Sequence, residues 1–258
     1  MAKEQERQSK AQNNRSKRQA QARRENMFRF LGIGALALLV IGVVFIGFVG
    51  GKSDNTGKTT SVDRLTKGGY PTSVNPANLS WSPNANSQAA STLTIWEDFQ
   101  CPACRNFEQA MGATIEQLAA DDVVKVEYRM TAFLDTNFPQ SDYASHRAIN
   151  AYGCAIEAGF GQKYHDVLYI NQPAKEGDGW TDEALVDLAK TAGYSDLAGF
   201  GNCVYGSKYM KWGSDSYAKF QEEGISGTPT ILLDGKEATA DNLASVSAFL
   251  AWIQANKK

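Results

Sequence analysis

The chain is poor in metal-ligating side chains: its 258 residues include only two histidines, His146 and His165, and four cysteines. Only Cys101 and Cys104 are closely spaced. A structural zinc site takes four ligands, often from two such pairs, and here no second pair exists. Cys154 and Cys203 stand alone, and both histidines read as ordinary helical side chains, so no metal site is expected. Positive charge is scarce outside one end of the chain. Residues 1–29 hold nine of the 26 Lys/Arg and three of the 28 acidic residues, leaving 17 basic residues against 25 acidic ones in the remainder. A domain of that balance repels a phosphate backbone, so no nucleic-acid partner is expected. There is no internal repeat.

Charge is missing altogether from residues 30–49, where twenty residues run without a polar stripe. At ~1.5 Å per residue such a helix spans about 30 Å, the hydrocarbon thickness of a bilayer. A cleavable signal would have a shorter apolar region ending in an Ala-x-Ala-like site. This run ends in Gly50-Gly51-Lys52-Ser53-Asp54, and an uncleaved, single-pass anchor is expected. The basic residues before it place the N-terminus in the cytoplasm. Everything after it is then extracytoplasmic, where disulfides persist. The expected division is a basic cytoplasmic tail (1–29), a transmembrane anchor (30–49), a Ser/Thr/Asn/Gly-rich linker (50–91) in which Trp81 is free to dock, and a folded domain (92–258).

Regular patterning starts at residue 92. Residues 92–99 alternate as a strand, 103–120 carry Phe107, Met111, Ile115 and Leu118 at helical spacing, and 123–130 alternate again. About 80 residues without a convincing strand follow, with helices expected at 144–160, 181–192 and 205–223; Thr181 suits the cap of the second. Residues 230–234 return to strand, Asp234-Gly235 signals a hairpin, and 242–254 form an amphipathic helix. The order describes a small α/β domain with a helical insertion at about 140–222.

A Cys-x-x-Cys motif serves either zinc or dithiol chemistry. Dithiol chemistry needs one thiol at a helix N-terminus, where free N–H groups and the helix dipole favour a thiolate, and a second one turn inside. Cys101 ends a strand, Pro102 suits the first helical position, and Cys104 lies within that turn. The placement and the expected compartment favour dithiol chemistry, with Cys101 as nucleophile. Cys154 and Cys203 are either buried free thiols or, as the oxidising compartment favours, a structural bridge.

Residues 98–108, Asp-Phe-Gln-Cys-Pro-Ala-Cys-Arg-Asn-Phe-Glu, together with Gly224-Ile-Ser-Gly-Thr-Pro-Thr230, resemble the DsbA-like branch of the thioredoxin superfamily over about residues 90–255. The resemblance implies a thioredoxin-like fold and a protein thiol–disulfide oxidoreductase that needs no cofactor. It implies that Thr228-Pro229 is a cis bond facing Cys101 and Cys104 and that both residues bind substrate. It also implies, as in relatives from Gram-positive bacteria, a second disulfide in the helical block, here Cys154–Cys203. The implied role is an oxidase that gives its disulfide to cysteine-bearing exported proteins and is reoxidised by a membrane redox partner. A reductase or isomerase of the same fold, and a chaperone-like binding module, are the alternatives. The sequence departs from the family's pattern in two places. Pro102-Ala103 lacks the histidine that the best-known oxidants carry beside the second cysteine. Position 95, where many relatives hold a buried acid, is Ile95, and which of Glu97 and Asp98 serves instead is open.

Overall fold

The computed structural model describes residues 61–258. The basic tail, the anchor and linker residues 50–60 lie outside the described residues. Among the described residues no helix is long and apolar enough to cross a membrane.

A short helix, α1 (Ser61–Arg64), precedes an irregular stretch that runs onto the domain. Trp81 exchanges backbone hydrogen bonds with Tyr128 at 3.0 and 2.8 Å and stacks on its ring. Val74, Leu79 and Trp81 are buried, and the Trp212 indole donates to the Leu79 carbonyl at 3.0 Å. The docking of Trp81 was anticipated, but the anchoring extends much further. Arg64 pairs with Asp182 at 2.8 Å, and Lys211 N–H donates to the Lys67 carbonyl. Residues 61–91 are thus a packed flank of the domain, not a free linker, because their few apolar side chains find sites on the helical block.

Strand β1 (Thr92–Glu97) lies at the centre of a four-stranded sheet. Leu93 and Ile95 enter the core from one face, while Trp96 on the other packs edge-on against Phe220 beneath the Arg129 guanidinium. Burial on both faces is what a central strand requires. Helix α2 (Pro102–Ala120) leads to β2 (Lys125–Met130), parallel to β1. Its buried residues, Cys104, Phe107, Met111, Ile115 and Leu118, recur every three or four positions and form one face.

The insertion comprises α3 (Leu134–Asn137), α4 (Ala144–Glu157), α5 (Gly161–Ile170), α6 (Asp182–Thr191), α7 (Leu197–Tyr205) and α8 (Met210–Glu222). Of the anticipated helices, 144–160 ends early, at Glu157, and 205–223 begins late, at Met210. Gly159, at φ 82°, ends α4, and α5 follows at once. The Asn150 side chain donates to the Val204 carbonyl at 2.9 Å and accepts the Tyr209 N–H at 2.8 Å. One buried amide therefore closes α7 and supports the turn into α8. Thr181 caps α6 as anticipated, accepting the Ala184 N–H at 3.1 Å.

Strands β3 (Thr230–Leu233) and β4 (Lys236–Glu237) complete the sheet in the order β2-β1-β3-β4, with β3 antiparallel to both neighbours. Asp234 and Gly235 turn the hairpin with φ 49° and 84°, the positive angles that favour this residue pair. The last helix, α9 (Val246–Asn256), starts later than its periodicity suggests because Ser245 caps it, accepting the Ala248 N–H at 3.2 Å.

Candidate active site

β1 delivers the chain to Cys101, which caps α2 with extended backbone angles, φ −75° and ψ 118°, and Pro102 occupies the first turn. Several side chains hold this junction. Gln172 donates through Nε2 to the carbonyls of Phe99 and Cys101 at 2.7 and 3.0 Å. Asp98 accepts the Gln100 N–H at 2.9 Å, the Leu134 N–H at 3.0 Å and the Ser145 hydroxyl at 2.6 Å. Gln100 Nε2 donates to Asp135 Oδ1 at 2.9 Å, and Asp135 in turn meets His146 Nδ1 at 2.7 Å. The cysteine loop is thus clamped between the sheet and the insertion.

Cys101 and Cys104 are free thiols, the first almost covered and the second fully buried. Their acidities diverge. The Cys104 hydrogen bond, acting against burial and aided by the backbone N–H groups of Ala103 and Cys104, lowers Cys101 to about 6. Burial foremost, then the Cys101 sulfur and the charge of Glu97, push Cys104 well above the usual thiol range. The arrangement forms a nucleophile and leaving group in the outer position and a resolving thiol inside.

Thr228-Pro229 is a cis peptide bond, and the Cys101 thiol donates to the Thr228 carbonyl at 3.4 Å. Chain segments 127 residues apart therefore meet at one sulfur. Cys154 and Cys203 lie elsewhere, joined in a disulfide between α4 and α7 across 49 positions.

The histidines are not the ordinary helical side chains that their sequence positions suggested. Both are buried and each faces a carboxylate. His165 is fully enclosed, with Nε2 3.0 Å from Glu97 Oε2 and Nδ1 3.4 Å from Asp166. Glu97, Glu108 and His165 bring one ligand atom each within 4.8 Å of one another. Burial alone would lower the His165 pKa, but hydrogen bonds to Asp166 and Glu97, with the charges of Glu108 and Glu97, raise it to about 10. Burial and then the Glu97 charge push the Glu108 carboxyl well above its usual range. Ile95 is buried apolar core, and Glu97 lies two residues on, along the same face of β1. Asp98 is held up to about 8 because its burial outweighs its hydrogen bonds from Ser145, Gln100 and Leu134. Sequence reasoning named Glu97 and Asp98 as open candidates and missed Glu108, Gln172 and the role of His165. Glu108 did carry a signal, lying one helical turn beyond Cys104.

The profile of a family described as thioredoxin matches residues 85–255. Solved structures similar to the chain include an MdbA thiol-disulfide oxidoreductase from Actinomyces oris, 22% identical over 76% of this chain and 93% of that one, with a TM-score of 0.62. Oxidised DsbA from Mycobacterium tuberculosis is 27% identical over 64% of this chain and 82% of its own, with a TM-score of 0.54. Oxidised BdbD from Bacillus subtilis is 19% identical over 74% and 97%, with a TM-score of 0.58. A comparison with curated protein sequences found no match.

Proposed function

The chain belongs to the thioredoxin family, as a DsbA-like thiol–disulfide oxidoreductase, and from that premise we propose that it is an extracytoplasmic oxidase donating the Cys101–Cys104 disulfide to exported proteins. The opposed acidities of the two thiols carry this reading. A substrate thiolate attacks Cys101 Sγ, the S–S bond breaks, and its electron pair leaves on Cys104. A second substrate thiolate then attacks the substrate sulfur of the mixed disulfide. The substrate leaves with its own disulfide, and the departing Cys101 thiolate is stable at neutral pH. A stabilised reduced form makes the oxidised form the stronger oxidant.

Thr228 and Pro229 are proposed to bind substrate. The Thr228 carbonyl beside Cys101 supports this, since an extended peptide is held by main-chain pairing. Cys154–Cys203 has a structural role, tying two helices of the insertion together. The charge-free residues 30–49 and the nine basic residues before them support a single-pass membrane anchor with the N-terminus cytoplasmic. Turnover as an oxidase then calls for a membrane partner that withdraws two electrons from the reduced pair.

The test is the equilibrium of the Cys101/Cys104 pair against glutathione redox buffers, combined with oxidation of a reduced, unfolded substrate. A potential above about −200 mV with stoichiometric disulfide transfer is the expected result. A value near the roughly −270 mV of thioredoxin would turn the reading to a reductase. Undiminished holdase activity in Cys101→Ser, without disulfide transfer by the parent, would turn it to a binding module.

A further inference from the structure

Three side chains able to ligate a metal meet in the interior, one from each of three elements. Glu97 ends β1, Glu108 lies on α2 and His165 on α5 of the insertion, and each brings one ligand atom within 4.8 Å of the other two. His165 presents Nε2 to Glu97 Oε2 at 3.0 Å. Oε1 of Glu97 and Oε1 of Glu108 are buried with no hydrogen-bond partner among the described residues. The same holds for the hydroxyls of Tyr152 and Tyr169, whose rings pack against His165. A buried polar atom left unpaired calls for an ion, an ordered water or a chemical role. Two carboxylates converge here, and one divalent cation between them offsets both buried charges.

Two further features belong to a metal centre. A ligating histidine directs its other ring N–H to a carboxylate, which fixes the tautomer and the ring orientation. His165 Nδ1 lies 3.4 Å from Asp166 Oδ1. One turn beyond Glu108, α2 carries a glycine, which weakens a helix interior. A Cβ at Gly112 would stand 2.8 Å from Glu108 Oε2, so the glycine leaves room for that carboxylate. An ion also has a way in. Glu108 lines a cavity of about 350 Å³ between α2 and α5 together with Glu116 and Asp166, and acidic walls draw cations from solvent.

We propose that Glu97, Glu108 and His165 bind one zinc ion, which pins α5 of the insertion to β1 and α2, with Asp166 as the outer partner that orients His165. The ligand set chooses the metal. Calcium and magnesium take sets of about six or more oxygens, whereas an imidazole nitrogen with carboxylate oxygens suits zinc, a water completing the four. Ligand atoms about 2.1 Å from a tetrahedral zinc stand about 3.4 Å apart. The side chains therefore close by on the order of 1 Å around the ion. The lack of a second cysteine pair, which argued against a metal site, has no bearing here because no sulfur takes part. The proposal holds whichever direction the Cys101/Cys104 pair runs.

The experiment is equilibrium dialysis of the oxidised full chain against low-micromolar zinc chloride, with bound metal counted by mass spectrometry. With Cys101–Cys104 and Cys154–Cys203 both closed, no thiol competes for the ion. One zinc per chain is expected, with a melting temperature that rises with free zinc. X-ray absorption at the zinc edge should show nitrogen and oxygen at about 2.0–2.2 Å, an imidazole signature and no sulfur. Loss of an outer partner typically weakens binding by about 10–100-fold, and Asp166→Asn should do so. Glu108→Gln removes a ligand and should weaken binding by more than about 100-fold. Circular dichroism shows whether each variant is folded; should Glu108→Gln misfold, Asp166→Asn decides, because the Asp166 side chain is 35% exposed. Zinc well below one per chain in the parent would overturn the proposal, as would sulfur in the zinc shell. Zinc affinity unchanged in folded Asp166→Asn or Glu108→Gln would overturn it too.

Discussion

The acidity of Cys101 is the quantity on which the reading depends, and Cys104→Ala perturbs it most directly. Cys101 falls from the ordinary thiol value of 9.0 to about 6, a difference of about 4 kcal/mol between its two protonation states. At pH 7 about nine-tenths of it is then thiolate, against about one per cent for an ordinary thiol. The largest cause is the Cys104 hydrogen bond. A hydrogen bond to a charged group contributes about 1.5–3 kcal/mol, so removing it should move Cys101 to between about 7 and 8. The fully buried site lets no other donor in easily. Thiolate absorbance and alkylation rate from pH 4 to 10 measure the change, with the thiolate fraction at pH 7 falling to between about half and a tenth. Stability must follow with a defined sign. A folded-state pKa below the unfolded value stabilises the reduced protein fully above about 9, and that gain is lost as pH falls through about 6. At pH 7 it amounts to about 1.4 kcal/mol, or roughly 30 mV toward a stronger oxidant. A Cys104→Ala protein whose Cys101 still titrates within a few tenths of 6 would refute the reasoning and assign the acidity to the helix terminus alone.

Three further outcomes follow from the same structure. Replacing both Cys154 and Cys203 by Ala should cost up to about 4 kcal/mol from the loop they close, read in urea melts, while the Cys101 titration stays where it was; a shift of that titration would contradict a purely structural bridge. Asp98, raised to about 8 by burial, favours the folded state most when protonated, so its contribution is full below about 4 and is lost as pH rises through 8. Thermal melts of Asp98→Asn should therefore decline less than the parent across that window, and parallel curves would show that Asp98 is not held neutral. Thr181→Ala should cost about 1 kcal/mol by removing the cap of α6, with loss of the Ala184 amide's exchange protection as the local readout.

The residues of the chain were enough to place the strands, the cysteine helix, the hairpin and the last helix. Each is a local pattern: alternation at Leu93 and Ile95, helical spacing from Phe107 to Leu118, a Pro102 start and an Asp234-Gly235 turn. Local patterns also marked Cys101 as the helix-terminal thiol, and the resemblance then implied its meeting with Thr228-Pro229. The division of the insertion was hidden because Asn150, 54 positions before Val204, decides where α7 stops. The N-flank was hidden because composition describes residues 61–91 as polar, while Val74, Leu79 and Trp81 are held by partners distant in the chain. The buried group of Glu97, Glu108 and His165 lay furthest from view. Glu97, Glu108 and His165 share no spacing rule, and a histidine on a helix has no local mark of burial. Folding of α5 against β1 and α2 makes them neighbours; burial then raises the Glu108 carboxyl, while the neighbouring carboxylates raise His165 against its burial. Periodicity settles which face of an element is buried, whereas the electrostatics of a buried site depend on what the other elements bring to it.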